Sequence, residues 1–390
     1  MVSRREILGL VSAGLSIPLA PLALSQSAAR SGRRLILVEL SGANDGLNTL
    51  VPAWDDRYHG LRPEIGLGPS EVVELESQLG LNSAMTPLME AWQDGELAVV
   101  QGLGYPSQNR SHFKSIALWE TGGDGNRAER NGWLTEDIEA MGGGPFDAHG
   151  ISLDGGMGVF ASSTGLWISL TSLADVQTLS ATNANYQNAV GAADNPALSM
   201  LVDRANSFDT AMSHIAAKIE RLPNRSFRIN ARDLGRQASL AAQLIVAGVN
   251  APVLKLKISG FDTHEDQRGD HERLLATVAS ALSGLRRVLK RTGHWDDTLV
   301  MTYSEFGRRA RENESGGTDH GSAAPHFILG GRVKGGLWGS HPDLGALDGD
   351  DLQFTMDYRS VYDRVLSDWF NLPNNRFHSF VSPELTGIFA

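Results

Sequence analysis

The sequence contains no cysteine. That absence removes disulfides, thiolate metal sites and cysteine nucleophiles together, so any chemistry the chain performs rests on oxygen and imidazole. The 390 residues also lack any run of Lys or Arg beyond pairs such as Arg286-Arg287, and the formal net charge is −11. Both features speak against a phosphate-tracking nucleic-acid surface. No short repeat organises the 43 glycines and 15 prolines, and no internal period of about 20–50 residues appears, so collagen-like, low-complexity and solenoid architectures fail. What remains is 41% hydrophobic and 20% charged. That is an ordinary soluble composition on a chain long enough for one large core.

At the N-terminus, Ser3-Arg4-Arg5-Glu6-Ile7-Leu8 sets two arginines directly before an apolar stretch from Ile7 to Leu24, softened by Gly9, Gly14, Pro18 and Pro21. Residues 1–29 therefore read as a twin-arginine export signal. A transmembrane anchor is the competing reading, but about 18 residues is the lower limit for spanning a bilayer and the prolines weaken it. Small residues place cleavage after either Ser25 or Ala29, and the sequence does not choose between them. The twin-arginine machinery carries folded proteins, which suits a cysteine-free chain and a metal loaded before export. The expected location is periplasmic or extracellular.

Beyond the signal, Arg34-Leu-Ile-Leu-Val-Glu-Leu40 is a continuous apolar run ending at Ser41-Gly42, the pattern of a strand buried on both faces. Glu96–Gly102, Pro252–Ile258, Thr298–Tyr303 and His326–Leu329 follow the same pattern. Helical stretches lie between them: Ser83–Gln93, His112–Thr121, Ala197–Val249, His271–Arg291 and Ser360–Phe370. Strands alternating with helices predict an α/β fold with a mostly parallel central sheet flanked by helices. Residues 30–390 are expected to form one domain, with an insertion or edge sheet around residues 142–193.

In such sheets ligands bind beyond the carboxyl ends of the strands. The segments this picks out are Ser41-Gly-Ala-Asn-Asp45-Gly46, Asn109-Arg110-Ser111-His112, Phe261-Asp262-Thr-His264, Ser304-Glu305-Phe-Gly-Arg308 and Gly317-Thr-Asp319-His320-Gly321. Carboxylates and imidazoles at several strand ends are what a divalent metal needs. Asp262 and His264 are the sharpest pair, because residues two apart in a strand share a face. Turn and helix-cap roles compete at both, and at Asp45 an ordinary Asn-Asp-Gly turn competes more strongly. Glu305 follows a strongly apolar strand, and Asp319 could orient the imidazole of His320.

Ser111 stands where a loop becomes a helix. An N-cap is the plainer role, but a helix start also holds tetrahedral anions, with Arg110 adding charge. A serine there, facing a metal, is a candidate nucleophile. Among the other histidines, His112, His271 and His326 are candidates to stand behind the ligands, while His59, His149, His214, His294, His341 and His378 read as surface or packing residues.

These segments resemble the bacterial domain of unknown function 1501 proteins, which are similar to the alkaline phosphatase and sulfatase superfamily. The resemblance is carried by SGANDGLNTLVP, YHGLRPEIGL, GELAVVQGLGYPSQNRSHFKS, GFDTHEDQ, SEFGRRARENESGGTDHG and GGRVKGGLWG, in that order. It implies an alkaline-phosphatase-like fold with one or two divalent metals at the strand ends and a Ser, Thr or formylglycine nucleophile at a helix start. Asp45, Asp262, His264, Glu305 and His320 fall at the implied ligand places and Ser111 at the nucleophile's. The chain also differs from the superfamily. Only Thr263 separates Asp262 from His264, Ser304-Glu305 stands where an Asp-His pair is usual, and no serine is followed by the x-Pro-x-Arg of sulfatases.

Two functions follow as expectations. In the first, the chain is an exported metal-dependent hydrolase of a phosphate, sulfate or related ester of a small molecule, glycan or lipid. Ser111 attacks, Arg110 or Arg308 binds the anion, and the mixed ligand set holds zinc or manganese in preference to calcium or magnesium. In the second it is a noncatalytic envelope protein that binds a ligand or an exported protein partner on the same fold.

Overall fold

The structure, a computed structural model, describes residues 32–389 except 77, 125–128, 142–145, 163, 177–195, 224–226 and 374–375. The expected export signal therefore lies outside the described residues. Among the described residues, no helix is long and apolar enough to cross a membrane.

The continuous apolar run in Arg34-Leu-Ile-Leu-Val-Glu-Leu-Ser41 builds the first strand, β1 (Arg34–Ser41). Ile36, Val38 and Leu40 pack into one core cluster and Leu35 and Leu37 into another, so the strand is buried on both faces. Further strands follow as β2 (Leu50–Val51), β3 (Val72–Glu74), β4 (Gly80–Asn82), β5 (Leu97–Gly104), β6 (Gly150–Ser152) and β7 (Trp167–Ser169). The remainder are β8 (Val253–Ser259), β9 (Thr298–Tyr303), β10 (Ala324–Gly330), β11 (Gly336–Trp338) and β12 (Met356–Asp357).

The central sheet has the order β11-β5-β10-β9-β1-β8-β6-β7, with β12 also on β5. β1 pairs parallel with β8 and β9, and β6 pairs parallel with β8 and β7. β10 runs antiparallel to both β5 and β9. The sheet is thus mostly parallel, and β2, β4 and β3 form a separate three-stranded sheet. The described part of the 142–193 region supplies β6 and β7 at one edge of the central sheet.

Helices cover both faces. Leu275, Val278 and Leu282 of the helix Gln267–Arg291 and Leu234, Ala238 and Leu244 of Arg232–Val246 pack in the cluster with Ile36 and Val38. On the other face lie Leu118 and Trp119 of the helix His112–Thr121 and Val361 and Tyr362 of Arg359–Arg364, with Leu35 and Leu37. The expected single helical region 197–249 is interrupted, forming Pro196–Glu220 and Arg232–Val246.

This topology gathers the site. The parallel strands β1, β8 and β9 end at one rim, and the reversed β10 begins there. The loop carrying Glu305, Arg308, Asp319 and His320 therefore leaves and returns at the same edge. Backbone bonds from Gly307 to Ser322 (2.7 Å) and from Gly321 to Gly307 (2.9 Å) close its neck.

Candidate metal centre

The helix His112–Thr121 opens with His112, whose Nδ1 lies 2.6 Å from Glu305 Oε1. His320 Nδ1 lies 2.8 Å from the carbonyl oxygen of Arg110. A carbonyl only accepts, so His320 carries its proton on Nδ1; the carboxylate of Glu305 holds the Nδ1 proton of His112 in the same way. In their neutral form both rings direct the Nε2 lone pairs inward.

Those lone pairs converge. His112 Nε2 and His320 Nε2 are 3.0 Å apart, and Asp262 Oδ1 lies 3.4 Å from the first and 3.2 Å from the second. His264 Nε2 joins at 2.9 Å from Asp262 Oδ1 and 3.0 Å from His320 Nε2. Acceptors packed at this distance without a donor between them repel, and a cation among them relieves the repulsion. Zinc with bonds of about 2.0–2.1 Å to tetrahedral donors spaces them about 3.3 Å apart. His112, Asp262 and His320 meet that spacing and fit a divalent ion.

The surrounding groups fix the ligands. Glu305 Oε1 also accepts from the backbone N–H of Gly42 at 2.9 Å. Burial would raise the Glu305 carboxyl, but hydrogen bonds from His112 and Gly42 outweigh it and hold it low. The hydrogen bond to Glu305 in turn raises His112. At Asp262 burial again opposes ionisation, and Arg308, His112 and His320 prevail, drawing it down to about 2. Gly42 sits at φ 110°, and a Cβ there would lie 2.4 Å from the backbone nitrogen of Asp262. At Gly317 a Cβ would meet the His264 carbonyl carbon at 2.2 Å. Both close approaches need glycine.

Several expected roles change. Asp45 is not a free ligand: its buried carboxylate accepts from Arg62 Nη1 (2.5 Å) and Nη2 (3.0 Å), Gln267 Nε2 (2.5 Å) and Leu47 N (3.2 Å). Four donors fill the oxygens a metal would use. Arg308 is not an anion binder either. Its fully buried guanidinium donates to the carbonyls of Gly42, Ala43, Phe261 and Thr318 and to Asp262 Oδ1, so it positions Asp262 and ties three loops together. Glu305 and Asp319 stand behind imidazoles rather than among the inward-facing donors. Asp319 Oδ1 is 3.5 Å from His264 Nδ1.

Ser111 is exposed and makes no capping bond with its side chain. It lies between Arg110, whose carbonyl holds His320, and His112, which enters the cluster. Arg110 pairs with Asp351. His271 is buried against Asn44, and His326 is buried against Trp119, so neither touches the centre. His112 is the residue that sequence reasoning undervalued. Its signal was its place directly after Ser111 at a helix start beyond a strand end.

Fold and centre together define an α/β protein with a histidine-rich metal-type site at the carboxyl rim of its sheet. Residues 77–372 match the family model described as "Protein of unknown function (DUF1501)", and the chain belongs to that family. Among curated proteins no sequence match is found. Solved structures with a similar course include a Ps i-CgsB crystal structure, at 11% identity and TM-score 0.45, covering 91% of this chain and 75% of that one. A phosphonate monoester hydrolase from Silicibacter pomeroyi is similar at 11% identity and TM-score 0.42, covering 92% and 77%. The lipoteichoic acid synthase LtaP from Listeria monocytogenes is similar at 12% and 0.37, covering 85% and 76%.

Proposed function

We propose that the protein is an exported, metal-dependent hydrolase of a phosphate, sulfate or related ester, with the Ser111 hydroxyl as nucleophile. The observation that carries this reading is the convergence of the His112 and His320 Nε2 lone pairs on Asp262 Oδ1 with their Nδ1 protons already held elsewhere. His112, Asp262 and His320 would hold the ion, with His264 beside them. A bound divalent ion supplies charge neutralisation for the anionic ester and for the charge that develops during its cleavage.

The chain's own residues supply the rest. Ser111 Oγ bonds to the phosphorus or sulfur centre as the bond to the ester oxygen breaks, the serine proton passes to the departing alcohol, and water then cleaves the Ser111 ester, releasing the anion and restoring the hydroxyl. Arg110, whose side chain is about half exposed, keeps Nη2 on Asp351 and offers its other N–H donors to the anion. Glu305 and the Arg110 carbonyl hold two imidazoles in register, and Arg308 holds Asp262. Export through the twin-arginine machinery to the periplasm or beyond belongs to the same reading, supported by Arg4-Arg5 and the apolar stretch after them.

The noncatalytic reading, a ligand- or partner-binding envelope protein, is favoured by one observation. Four side chains of the protein crowd the centre, and fully protein-ligated sites serve structure more often than catalysis.

Elemental mass spectrometry of the mature protein and of Asp262→Ala and His112→Ala, followed by a screen of phosphate and sulfate esters, separates the readings. Zinc or manganese near one equivalent, lost in both variants, with turnover abolished by Ser111→Ala at unchanged metal content, is the expected result. No metal after reconstitution of a folded protein overturns the proposal. Metal without any turnover leaves the second reading.

A further inference from the structure

Beside the centre lies an open cavity of about 540 Å³ lined by Tyr105, Gln108, Arg110, Asp351 and Phe354, among others. It begins where the cluster ends, because Arg110 belongs to both: its carbonyl holds His320 and its guanidinium pairs with Asp351 on the cavity wall.

Two buried acceptors of this wall have no donor. The Asp351 side chain is only 8% exposed, and its Oδ2 is taken by Arg110 while its Oδ1 has no partner. Gln108 donates from Nε2 to Ser115 Oγ and to the Glu305 carbonyl, both long at 3.3 Å, which leaves Oε1 as the free end of the amide. That oxygen too is buried without a partner. Buried acceptors are normally satisfied, and here the protein supplies nothing. Both groups end in a soft sp² torsion, so a small rotation presents either oxygen to a guest. Phe354, 37% exposed, adds an apolar face to the same wall.

We infer that this cavity seats the alcohol half of the substrate, and that this alcohol is polyhydroxylated, a sugar or another polyol. Two lone acceptors call for two hydroxyl donors, and the exposed ring suits the C–H face of a sugar ring. Because Arg110 already balances Asp351, the wall asks for neutral donors rather than a cation. The cavity's role as a leaving-group site rests on the ester-hydrolase reading; its choice of ligand does not.

Binding tests it without turnover. The mature wild-type protein is titrated with glucose, galactose and myo-inositol, and with ethanolamine and 4-nitrophenol as controls, by saturation-transfer NMR and calorimetry. At least one polyol binds in preference to both controls, and Asp351→Asn and Gln108→Leu each weaken it about fivefold or more. Phe354→Ala weakens it as well. Should Asp351→Asn fail to fold, as circular dichroism would show, the other two variants carry the test. The inference is overturned by absence of polyol binding, by preference for ethanolamine, or by polyol binding that the folded variants leave intact. Polyol binding without ester turnover supports the subsite and sinks the hydrolase reading; aryl-ester turnover without polyol binding sinks the subsite alone.

Discussion

Arg62 grips Asp45 from inside the protein, Nη1 to Oδ2 at 2.5 Å and Nη2 to Oδ1 at 3.0 Å, with neither side chain exposed to solvent. The guanidinium thus occupies the place at this carboxylate where a cation is expected. Asp45 is held ionised against the cost of its burial by Arg62, with His271 and Gln267 adding to the effect. Gln267 passes the arrangement on, since its Oε1 accepts from Thr263 Oγ1 (3.0 Å) and Thr318 Oγ1 (2.6 Å), beside the metal-type residues 262, 264 and 320.

Removing one partner of such a pair leaves a buried charge alone. Asp45→Asn should lower unfolding stability by about 3–5 kcal/mol in urea titrations, and pairing it with Arg62→Met should recover part of the loss. Metal content per folded chain should stay unchanged in Asp45→Asn. Loss of metal with little loss of stability would show that Asp45 is a ligand after all.

On the function proposed above, Glu305 should matter to metal affinity although its carboxylate meets His112 and Gly42 and not the centre itself. Glu305→Gln keeps the shape but weakens the hold on His112 Nδ1 and Gly42 N, and partners of this kind are worth about 10–100-fold in affinity. Chelator competition measures it, and an unchanged dissociation constant would contradict the role.

Arg308→Lys keeps the charge and loses the fork that serves carbonyls from three loops. Lysine cannot span those acceptors. Both melting temperature and metal affinity should fall together. A variant that loses only turnover of an anionic ester would return Arg308 to the anion-binding role.

Glu120 gives the pH dependence. Burial pushes its carboxyl up from 4.5 to about 7, with nearby Lys255 opposing the shift. The folded state therefore holds this proton more tightly than the unfolded state. Stability from this group is full below pH 4.5 and falls as pH rises through about 7. Glu120→Gln should gain melting temperature relative to wild type between these limits and level off above them. A difference that is flat in pH would refute it.

Much of the fold was legible because β1, β5, β8, β9 and β10 are long apolar runs whose period and length leave little choice. The candidate site was legible as a set of strand ends, and these place Asp262, His264 and His320 within hydrogen-bonding distance of one another. The roles of Asp45 and Arg308 were not, because they depend on partners that no local sequence pattern ties to them. Nothing local links Asp45 to Arg62, which follows the short helix Asp56–Leu61 as its C-cap, or Arg308 to the carbonyls of Gly42 and Phe261. Ser111 beside His112 posed the converse difficulty: at a helix start, a capping serine hides the importance of the histidine after it.

The centre is also assembled from chain segments very far apart. His112 meets Glu305 across 193 residues, Asp45 meets Gln267 across 222, and Gly42 meets Glu305 across 263. Such contacts form late, after the entropy of closing long loops has been overcome. A growing chain that has not yet released residue 320 from the ribosome has no place to keep an ion. On the function proposed above, metal uptake would report a finished fold, and a translocation route that accepts only finished folds would carry the protein with its metal already in place.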